Sequence, residues 1–282
     1  MIDECRQSHL RRFSLNTATI KKQCSFVSSI TACIEHGFSY IAPWRDQLYE
    51  TSLEKSVKLV KDSGLSVSSL CRGGMFTALD SGLTPAAINR VMDDNYRAVD
   101  EAVALAADSL ILVVGGLFPE SRDLNKSRDF VEDCLGQLLE YSKGHMPLGI
   151  EPLHPMYAAD RACVNTMKQA NDLCDSLGEG VGIVVDVYHV WWDPDLLNQI
   201  KRASGRIVGL HVSDWLVPTE DLLLDRGMMG DGVIDIRSIK RSVDRSGYTG
   251  PIEVEIFSKK WWAKNPNELL RTSKDRFIEY CQ

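Results

Sequence analysis

Short apolar segments alternate with longer segments in which apolar residues recur at helical spacing, and this alternation runs through most of the chain. Short apolar segments separated by helical ones are typical of strands buried in a parallel sheet. The predicted strands span residues 12–17, 38–43, 65–71, 109–116, 147–151, 181–186, 206–212 and 251–257. The pattern therefore predicts eight β-strands.

A helix is predicted after each of these strands. The approximate ranges are 19–37, 46–63, 84–108, 121–143, 159–177, 193–203, 232–248 and 265–281. Two of the helices have clear start signals, because Thr84 precedes Pro85 and Asn265 precedes Pro266. Threonine and asparagine are favoured as N-caps, and proline is favoured in the first turn.

Strict alternation of strands and helices predicts the fold class. Parallel strands joined by helical crossovers form either a closed barrel or an open, doubly wound sheet. An open sheet would usually have a glycine-rich turn after its first strand, and the segment NTATIKK contains no glycine. We therefore predict an α/β protein with a single (β/α)₈ TIM barrel, forming one domain over residues 1–282.

Ionisable residues stand near the carboxyl ends of the last four predicted strands. Glu151 ends the fifth strand, Asp186 ends the sixth, His211 lies in the seventh, and Glu253 and Glu255 lie in the eighth. Because side chains alternate across a strand, we expect these groups to face the barrel interior at one mouth. That mouth is where barrels of this class carry their active sites.

Converging carboxylates with one imidazole favour a bound divalent cation, since unpaired buried carboxylates are costly. A mostly oxygen ligand set suits Mn²⁺, Mg²⁺, Co²⁺ or Zn²⁺ better than thiolate-selected metals. Taken singly, each acid could also cap a loop or form a salt bridge. His211 alone could be a core histidine held by hydrogen bonds. Their shared position at strand ends favours the metal site.

Composition and charge narrow the classes of function. The net charge of −7 disfavours a nucleic-acid partner, which usually requires a basic face. The eight cysteines include no C-x-x-C pair, which favours free thiols. The segment MIDECRQSHLRRFSLN lacks the apolar region of a secretory signal, and no apolar run is long enough for a transmembrane helix. We therefore expect a cytoplasmic protein without a membrane partner.

Five motifs make the chain resemble the xylose-isomerase-like TIM barrel superfamily of sugar phosphate isomerases and epimerases, which also contains the apurinic-site (AP) endonucleases. The motifs are GIEPLHP, VVDVYHVWWDP, GLHVSDW, DRGMMGDGVID and GYTGPIEVEIF. The resemblance to ketose 3-epimerases implies one divalent ion, most often Mn²⁺, held by Glu151, Asp186, His211 and Glu255. Glu255 rather than Glu253 matches the family glutamate because an apolar pair follows it.

The resemblance also implies residues that contact a substrate. His189 matches a histidine that touches substrate in the epimerases, and Arg226 matches an arginine that reaches substrate oxygens. His154 could orient Glu151 or contact substrate, and Trp44 could form a wall of the pocket. Many epimerases have an acidic residue at the end of the second strand, where this chain has the segment Ala42-Pro43-Trp44. The substrate could therefore differ from theirs.

The function implied by the resemblance is that of a metal-dependent sugar or sugar phosphate isomerase or epimerase. A proton next to a carbonyl would be abstracted through a metal-stabilised enediolate, with Glu151 and Glu255 as the acid and base. The substrate would be a small carbohydrate or a cyclic polyol. Loss of a hydroxyl from the same intermediate would instead give a dehydratase or lyase of the 3-dehydroshikimate or inosose type. The protein could also be a homo-oligomer.

Two other classes fit less well. An AP endonuclease would need further histidines at the third and fourth strand ends, and the segments at 70–73 and 114–116 contain none. A non-catalytic barrel would have no need for the complete ligand set of four residues. We therefore expect an enzyme.

Overall fold

A computed structural model of the protein describes residues 10–80, 82–118, 121 and 123–281. Its main sheet consists of parallel strands, and each of them overlaps a predicted strand. They are β1 Phe13–Asn16, β2 Tyr40–Ala42, β3 Ser66–Val67, β4 Leu70–Gly74, β5 Leu110–Val113, β6 Leu148–Ile150, β7 Val181–Asp186, β8 Ile207–Val212 and, after two short strands described below, β11 Ile252–Val254. Only β4 extends beyond its predicted range, by three residues.

The sheet has the strand order β3-β2-β1-β11-β8-β7-β6-β5-β4. β3 and β4 are two parts of the third predicted strand, with β3 paired to β2 and β4 paired to β5. The gap between β2 and β4 is bridged where the Cys71 amide donates to the Pro43 carbonyl over 3.0 Å. The strands thus form a nearly closed barrel, and the predicted α/β (β/α)₈ fold is confirmed.

Helices surround the barrel. They are α1 Phe26–His36, α2 Arg45–Leu48, α3 Leu53–Ser63, α4 Pro85–Ala104, α5 Leu124–Ser142, α6 Met167–Leu177, α7 Val187–Val190, α8 Leu196–Arg202, α9 Ile236–Arg245, α10 Lys259–Trp262 and α11 Pro266–Tyr280. A two-stranded antiparallel ribbon, β9 Asp214–Trp215 and β10 Arg226–Gly227, lies between β8 and α9. The predicted caps Thr84 and Asn265 both accept backbone hydrogen bonds at their helix starts.

Three predicted helix ranges were wrong near their starts or in the middle. The first helix begins at Phe26, because the Ser25 side chain caps it. The range 46–63 is two helices, and Ser52 caps the second of them. The range 159–177 is helical only from Met167, where Thr166 and Gln169 form a capping box.

The residues before Met167 have other backbone partners, which explains the late start of α6. The Gly115 amide donates to the Arg161 carbonyl over 2.8 Å, and the Leu117 amide donates to the Ala159 carbonyl over 2.9 Å. The Cys163 amide in turn donates to the Gly115 carbonyl over 2.8 Å. Residues 159–163 are therefore held against the chain that follows β5, and their position matters for the site.

Side-chain alternation separates an apolar layer from a polar interior. Outward residues such as Leu148, Ile150 and Val254 belong to the large apolar cluster that also includes helix residues. Inside the barrel, Ser14 and Ser68 share a 2.7 Å hydrogen bond. The predicted inward direction of the strand-end acids follows from the same alternation.

No helix among the described residues is long and apolar enough to span a membrane. The cysteines of the described ranges are free, and six of these seven are buried. Cys5 lies outside the described residues.

Candidate active site

Four neighbouring strands bring one ionisable side chain each to the same point of the barrel. Asp186 ends β7, His211 lies in β8, and Glu151 and Glu255 follow β6 and β11 directly. All four are buried, and their potential ligand atoms lie within 4.8 Å of one another. Asp186 and His211 are direct partners in the β7–β8 ladder, which places their side chains at one level.

Charged neighbours surround this cluster. Nδ1 of His211 lies 3.2 Å from Glu151 Oε1 and 3.8 Å from Glu255 Oε2. Nη1 of Arg226 donates to Asp186 Oδ2 over 2.9 Å and to Glu255 Oε2 over 3.0 Å. Arg226 is itself buried, so its charge offsets part of the negative charge of the acids in a region of low dielectric.

His189 completes the charged group. Its Nε2 atom lies 3.1 Å from Nη2 of Arg226 and 3.6 Å from Oδ2 of Asp186. Burial lowers the pKa of His189 to about 3, against the opposing effect of Asp186. His189 is therefore neutral at physiological pH, and its Nε2 can accept a hydrogen bond from the guanidinium.

Burial and the nearby charges shift the pKa values of the cluster in different directions. Burial raises the pKa of Glu151 to about 7, and His211 offsets this only in part. Burial acts to raise the pKa of Glu255 too, but Arg226 and His211 outweigh it and lower the pKa below its ordinary value. For His211, burial acts to lower the pKa, but Glu253 and the other nearby carboxylates hold it well above the usual range.

Several buried polar atoms of the cluster lack a hydrogen bond among the described residues. They are Glu151 Oε1 and both ring nitrogens of His211. The short His211 contacts are thus close approaches of charged atoms without the geometry of hydrogen bonds. Three carboxylates, one imidazole and unsatisfied ligand atoms are the donor set that a divalent cation requires. These residues fit such an ion.

Glu253 lies on the other side of His211 from this cluster. Its Oε2 atom is 3.2 Å from Nε2 of His211. Ser68 donates to Glu253 Oε1 over 2.7 Å, and Asn16 donates to Oε2 over 3.1 Å. Glu253 is therefore fixed by the polar barrel interior next to His211, in the position that an outer partner takes beside a metal-binding histidine.

A cavity with a volume of about 50 Å³ opens onto the cluster. Its lining is charged, aromatic and apolar: Trp44, Cys71, Arg72, Ile111, Val113, Glu151, Leu153, Tyr157, Arg161, His189, Leu223, Arg226, Glu255 and Phe257. The Trp44 indole donates to Asn16 over 2.8 Å and meets the ring of Phe257 edge-on at 5.4 Å. This aromatic corner therefore forms one wall of the cavity.

The structure brings most of the site residues that the sequence predicted to this cavity. Asp186 and His211 are fully buried next to the cavity, and five other predicted residues line it: Trp44, Glu151, His189, Arg226 and Glu255. His154 lies outside the lining. Its Nδ1 accepts the Met156 amide over 3.2 Å, and its ring stacks on Trp215 at 5.0 Å. A contact of His154 with substrate stays a prediction.

The sequence did not connect Arg161 and Tyr157 with the cavity. Tyr157 donates to the Leu222 carbonyl over 2.8 Å and so joins two loops beside the cavity. Arg161 follows it in the loop that was expected to be helical. The capping box at Thr166 and Gln169 is the sequence signal that could have shortened this helix.

A family model described as the xylose isomerase-like TIM barrel matches residues 30–280. The inosose isomerase of Halalkalibacterium halodurans is 23% identical over 286 residues, which cover 94% of this chain and 94% of that protein.

Two crystal structures share the fold. Protein SMc04130 from Sinorhizobium meliloti 1021 is 47% identical, with a TM-score of 0.93 over 97% of this chain and 99% of that chain. The IOLI protein with a bound zinc atom is 19% identical, with a TM-score of 0.82 over 96% and 98% of the two chains. With most of its length matched by the family model, the chain belongs to the xylose isomerase-like TIM barrel family.

Proposed function

We propose that this chain is a divalent-metal-dependent isomerase or epimerase of a small carbohydrate or cyclic polyol. The observation that carries the proposal is the buried cluster of Glu151, Asp186, His211 and Glu255, which lies beside the cavity. The similarity to an inosose isomerase over nearly the whole chain supports the isomerase class. The fold alone would not, because barrels of this kind carry many chemistries.

The four clustered residues would hold one divalent ion. Mn²⁺ is the ion that the family resemblance favours, and the related IOLI structure contains zinc. When bound, the ion supplies a Lewis acid that stabilises negative charge on substrate oxygens. Arg226 and His189, which line the cavity beside the cluster, would orient the same oxygens.

Glu151 and Glu255 would move the proton. They follow β6 and β11, which are separated in the barrel by β7 and β8, so their carboxylates approach the cluster from two sides. One would remove the proton next to the carbonyl, and the other would return a proton from the opposite face, which inverts the carbon. Return of the proton to the neighbouring carbon would give isomerisation instead.

The wall of the cavity would keep water from the reacting carbon. Trp44 and Phe257 form an aromatic corner, and Leu153 and Leu223 add apolar surface. Excluding water strengthens the electrostatic interactions within the site.

Solvent exchange tests the proposal directly. The full chain loaded with Mn²⁺ would be incubated in D₂O with inososes, ketoses, ketose phosphates and 3-dehydroshikimate, and followed by NMR. We expect deuterium to enter a substrate next to its carbonyl. A product that has lost water would assign the lyase variant of the chemistry, whereas no exchange together with no metal binding would refute the proposal.

Two substitutions test the two-glutamate mechanism. Glu151→Gln and Glu255→Gln should each lower turnover by about 100-fold or more. Metal affinity is measured alongside, because both residues are also proposed ligands. Glu140→Gln is the matched control, since the Glu140 side chain is 75% exposed on α5. Turnover near the wild-type level in either site variant would contradict the mechanism.

We also infer that residues 1–282 form one domain located in the cytoplasm, and that a homo-oligomer is compatible with the fold. Size-exclusion chromatography with light scattering measures the oligomeric state.

A further inference from the structure

Two arginines, Arg72 from β4 and Arg161 from the loop before α6, line the same cavity. Neither is part of the cluster of proposed metal ligands. Both differ from Arg226, whose charge is matched by Asp186 and Glu255.

A β-bulge places Arg72 in the cavity. In the β4–β5 ladder, Cys71 pairs with Ile111 and Gly73 pairs with Leu112, so Arg72 is the extra residue between them. A bulge re-aims the side chain that it inserts, and bulges are common beside active sites. Here the outcome is a guanidinium directed into the lining of the cavity.

Arg72 is partly buried, yet its side chain makes no hydrogen bond or ion pair with any residue in the part of the chain that the structure describes. Its pKa is lowered by burial and by the nearby positive charge of Arg161. A guanidinium held in this way loses hydration without gaining a partner, which costs free energy. A ligand that accepts its hydrogen bonds would offset that cost.

Arg161 is held beside it by the backbone. The Arg161 carbonyl accepts the Gly115 amide over 2.8 Å, which fixes the loop against the end of the β5 segment. Its guanidinium lies over the ring of Tyr157 at 5.3 Å and reaches Asp160 only at 3.9 Å. Because the Asp160 side chain is 66% exposed, this contact neutralises little of the charge.

Arg45 is an example of an arginine with a structural role in this protein. Arg45, one residue after Trp44, donates to Glu101 over 2.6 Å and to Asp94 over 2.9 Å. Its hydrogen bonds are thus satisfied within the protein. Among the residues that the structure describes, Arg72 and Arg161 have no comparable acceptors, and both line the cavity.

We propose that Arg72 and Arg161 form an anion-binding subsite, so that the substrate carries a phosphate or carboxylate group as well as the oxygens that face the acidic cluster. The guanidinium fork matches the oxygens of either group and can bind them through paired hydrogen bonds. This inference rests on the proposed function, which assigns the part of the substrate that faces the acidic cluster. The neutral ketoses and cyclic polyols would then be poorer substrates than their anionic counterparts.

Anion binding can be measured without a known substrate. The full-length, metal-free chain is titrated at constant ionic strength with inorganic phosphate, with acetate and with the neutral polyol sorbitol, and binding is followed by calorimetry. We expect saturable binding of phosphate, acetate or both, and none of sorbitol. Binding of phosphate alone assigns a phosphorylated substrate, and binding of acetate alone assigns a carboxylate.

Arg72→Gln and Arg161→Gln should each weaken this binding about tenfold or more. Arg245→Gln, an exposed arginine on α9 outside the cavity lining, is the matched control and should bind as the wild type does. Absence of binding to both anions, or unchanged binding in either site variant, would overturn the subsite. If Arg72→Gln does not fold, Arg161→Gln carries the test.

Mn²⁺ affinity separates this inference from the proposed function. Neither arginine forms a hydrogen bond or an ion pair with the four proposed ligands, so both variants should still bind Mn²⁺, and loss of a nearby positive charge should not weaken that binding. Normal metal binding without anion binding would overturn the subsite alone. Anion binding in a wild-type chain that binds no divalent metal would support the subsite and count against the proposed function.

Discussion

Nε2 of His211 lies 3.2 Å from Oε2 of Glu253, on the edge of the ring opposite the Nδ1 atom that faces Glu151 and Glu255. The imidazole is therefore in close contact with a carboxylate that is itself held by Ser68 and Asn16. A carboxylate in this position fixes the ring and makes the other nitrogen a better ligand.

Glu253→Gln should weaken the affinity for Mn²⁺ or Zn²⁺ about tenfold or more, because the amide orients His211 less strongly than the carboxylate does. The fold should persist, since glutamine keeps the size of the side chain and can still accept a hydrogen bond from Ser68. Calorimetric titration with metal measures the effect, with Glu140→Gln as the control. Unchanged metal affinity would show that Glu253 has no part in orienting the ligand.

Arg226→Gln should destabilise the metal-free protein by about 3 kcal/mol, because it leaves Asp186 and Glu255 buried without their counter-charge. Added Mn²⁺ should then stabilise this variant more than it stabilises the wild type. Urea unfolding with and without metal measures both effects, and Arg245→Gln is the control. An equal gain from metal in the variant and the wild type would contradict this account.

Trp44→Phe should raise KM about fivefold on a confirmed substrate, since roughly 1 kcal/mol of ring contact in the cavity is lost. Trp262→Phe is a suitable control, because the Trp262 indole also donates one hydrogen bond, to the Ala18 carbonyl over 3.0 Å, and the residue does not line the cavity. Steady-state kinetics separate KM from kcat. Equal values of KM in the two variants would show that Trp44 does not contact the substrate.

Asp244→Asn should lower the free energy of unfolding by about 1 kcal/mol at neutral pH. Burial acts to raise the pKa of Asp244, but Lys240 at 2.8 Å and Arg12 at 2.9 Å outweigh it and lower the pKa. A lowered carboxyl pKa contributes stability that is present above the unfolded value of 3.8 and is lost as the pH falls through the lower folded value.

The difference in the free energy of unfolding between the wild type and Asp244→Asn should therefore shrink as the pH falls below about 3.8. Urea unfolding across the acid range measures it. Asp129→Asn, at an exposed position on α5, is the control, and its free energy of unfolding should stay close to that of the wild type at any pH. If the difference in unfolding free energy between the wild type and Asp244→Asn stays constant into the acid range, the stabilisation by Asp244 is not electrostatic.

The barrel and the strand-end acids could be predicted because their signals are local. Alternation along one strand determines which of Glu253 and Ile252 faces inward, and four such strands are enough to place the cluster. The starts of α1 and α6 were harder, because apolar residues continue at helical spacing before the true caps, Ser25 and Thr166.

The cavity face formed by Arg72 and Arg161 could not be predicted in the same way. The direction of Arg72 depends on a bulge against β5, and the place of Arg161 depends on backbone hydrogen bonds to Gly115. Both are contacts between segments remote in the chain. Periodicity within a segment carries no information about such contacts.

The bulge at Arg72 also has a consequence for how the protein could change over evolution. The inserted residue stands outside the paired register, since Cys71 and Gly73 hold the ladder on either side of it. Its side chain can therefore be exchanged with little effect on strand pairing. Position 72 is where we expect mutations to retune substrate preference at the lowest risk to folding, and a library restricted to this codon would be a compact starting point for redesign.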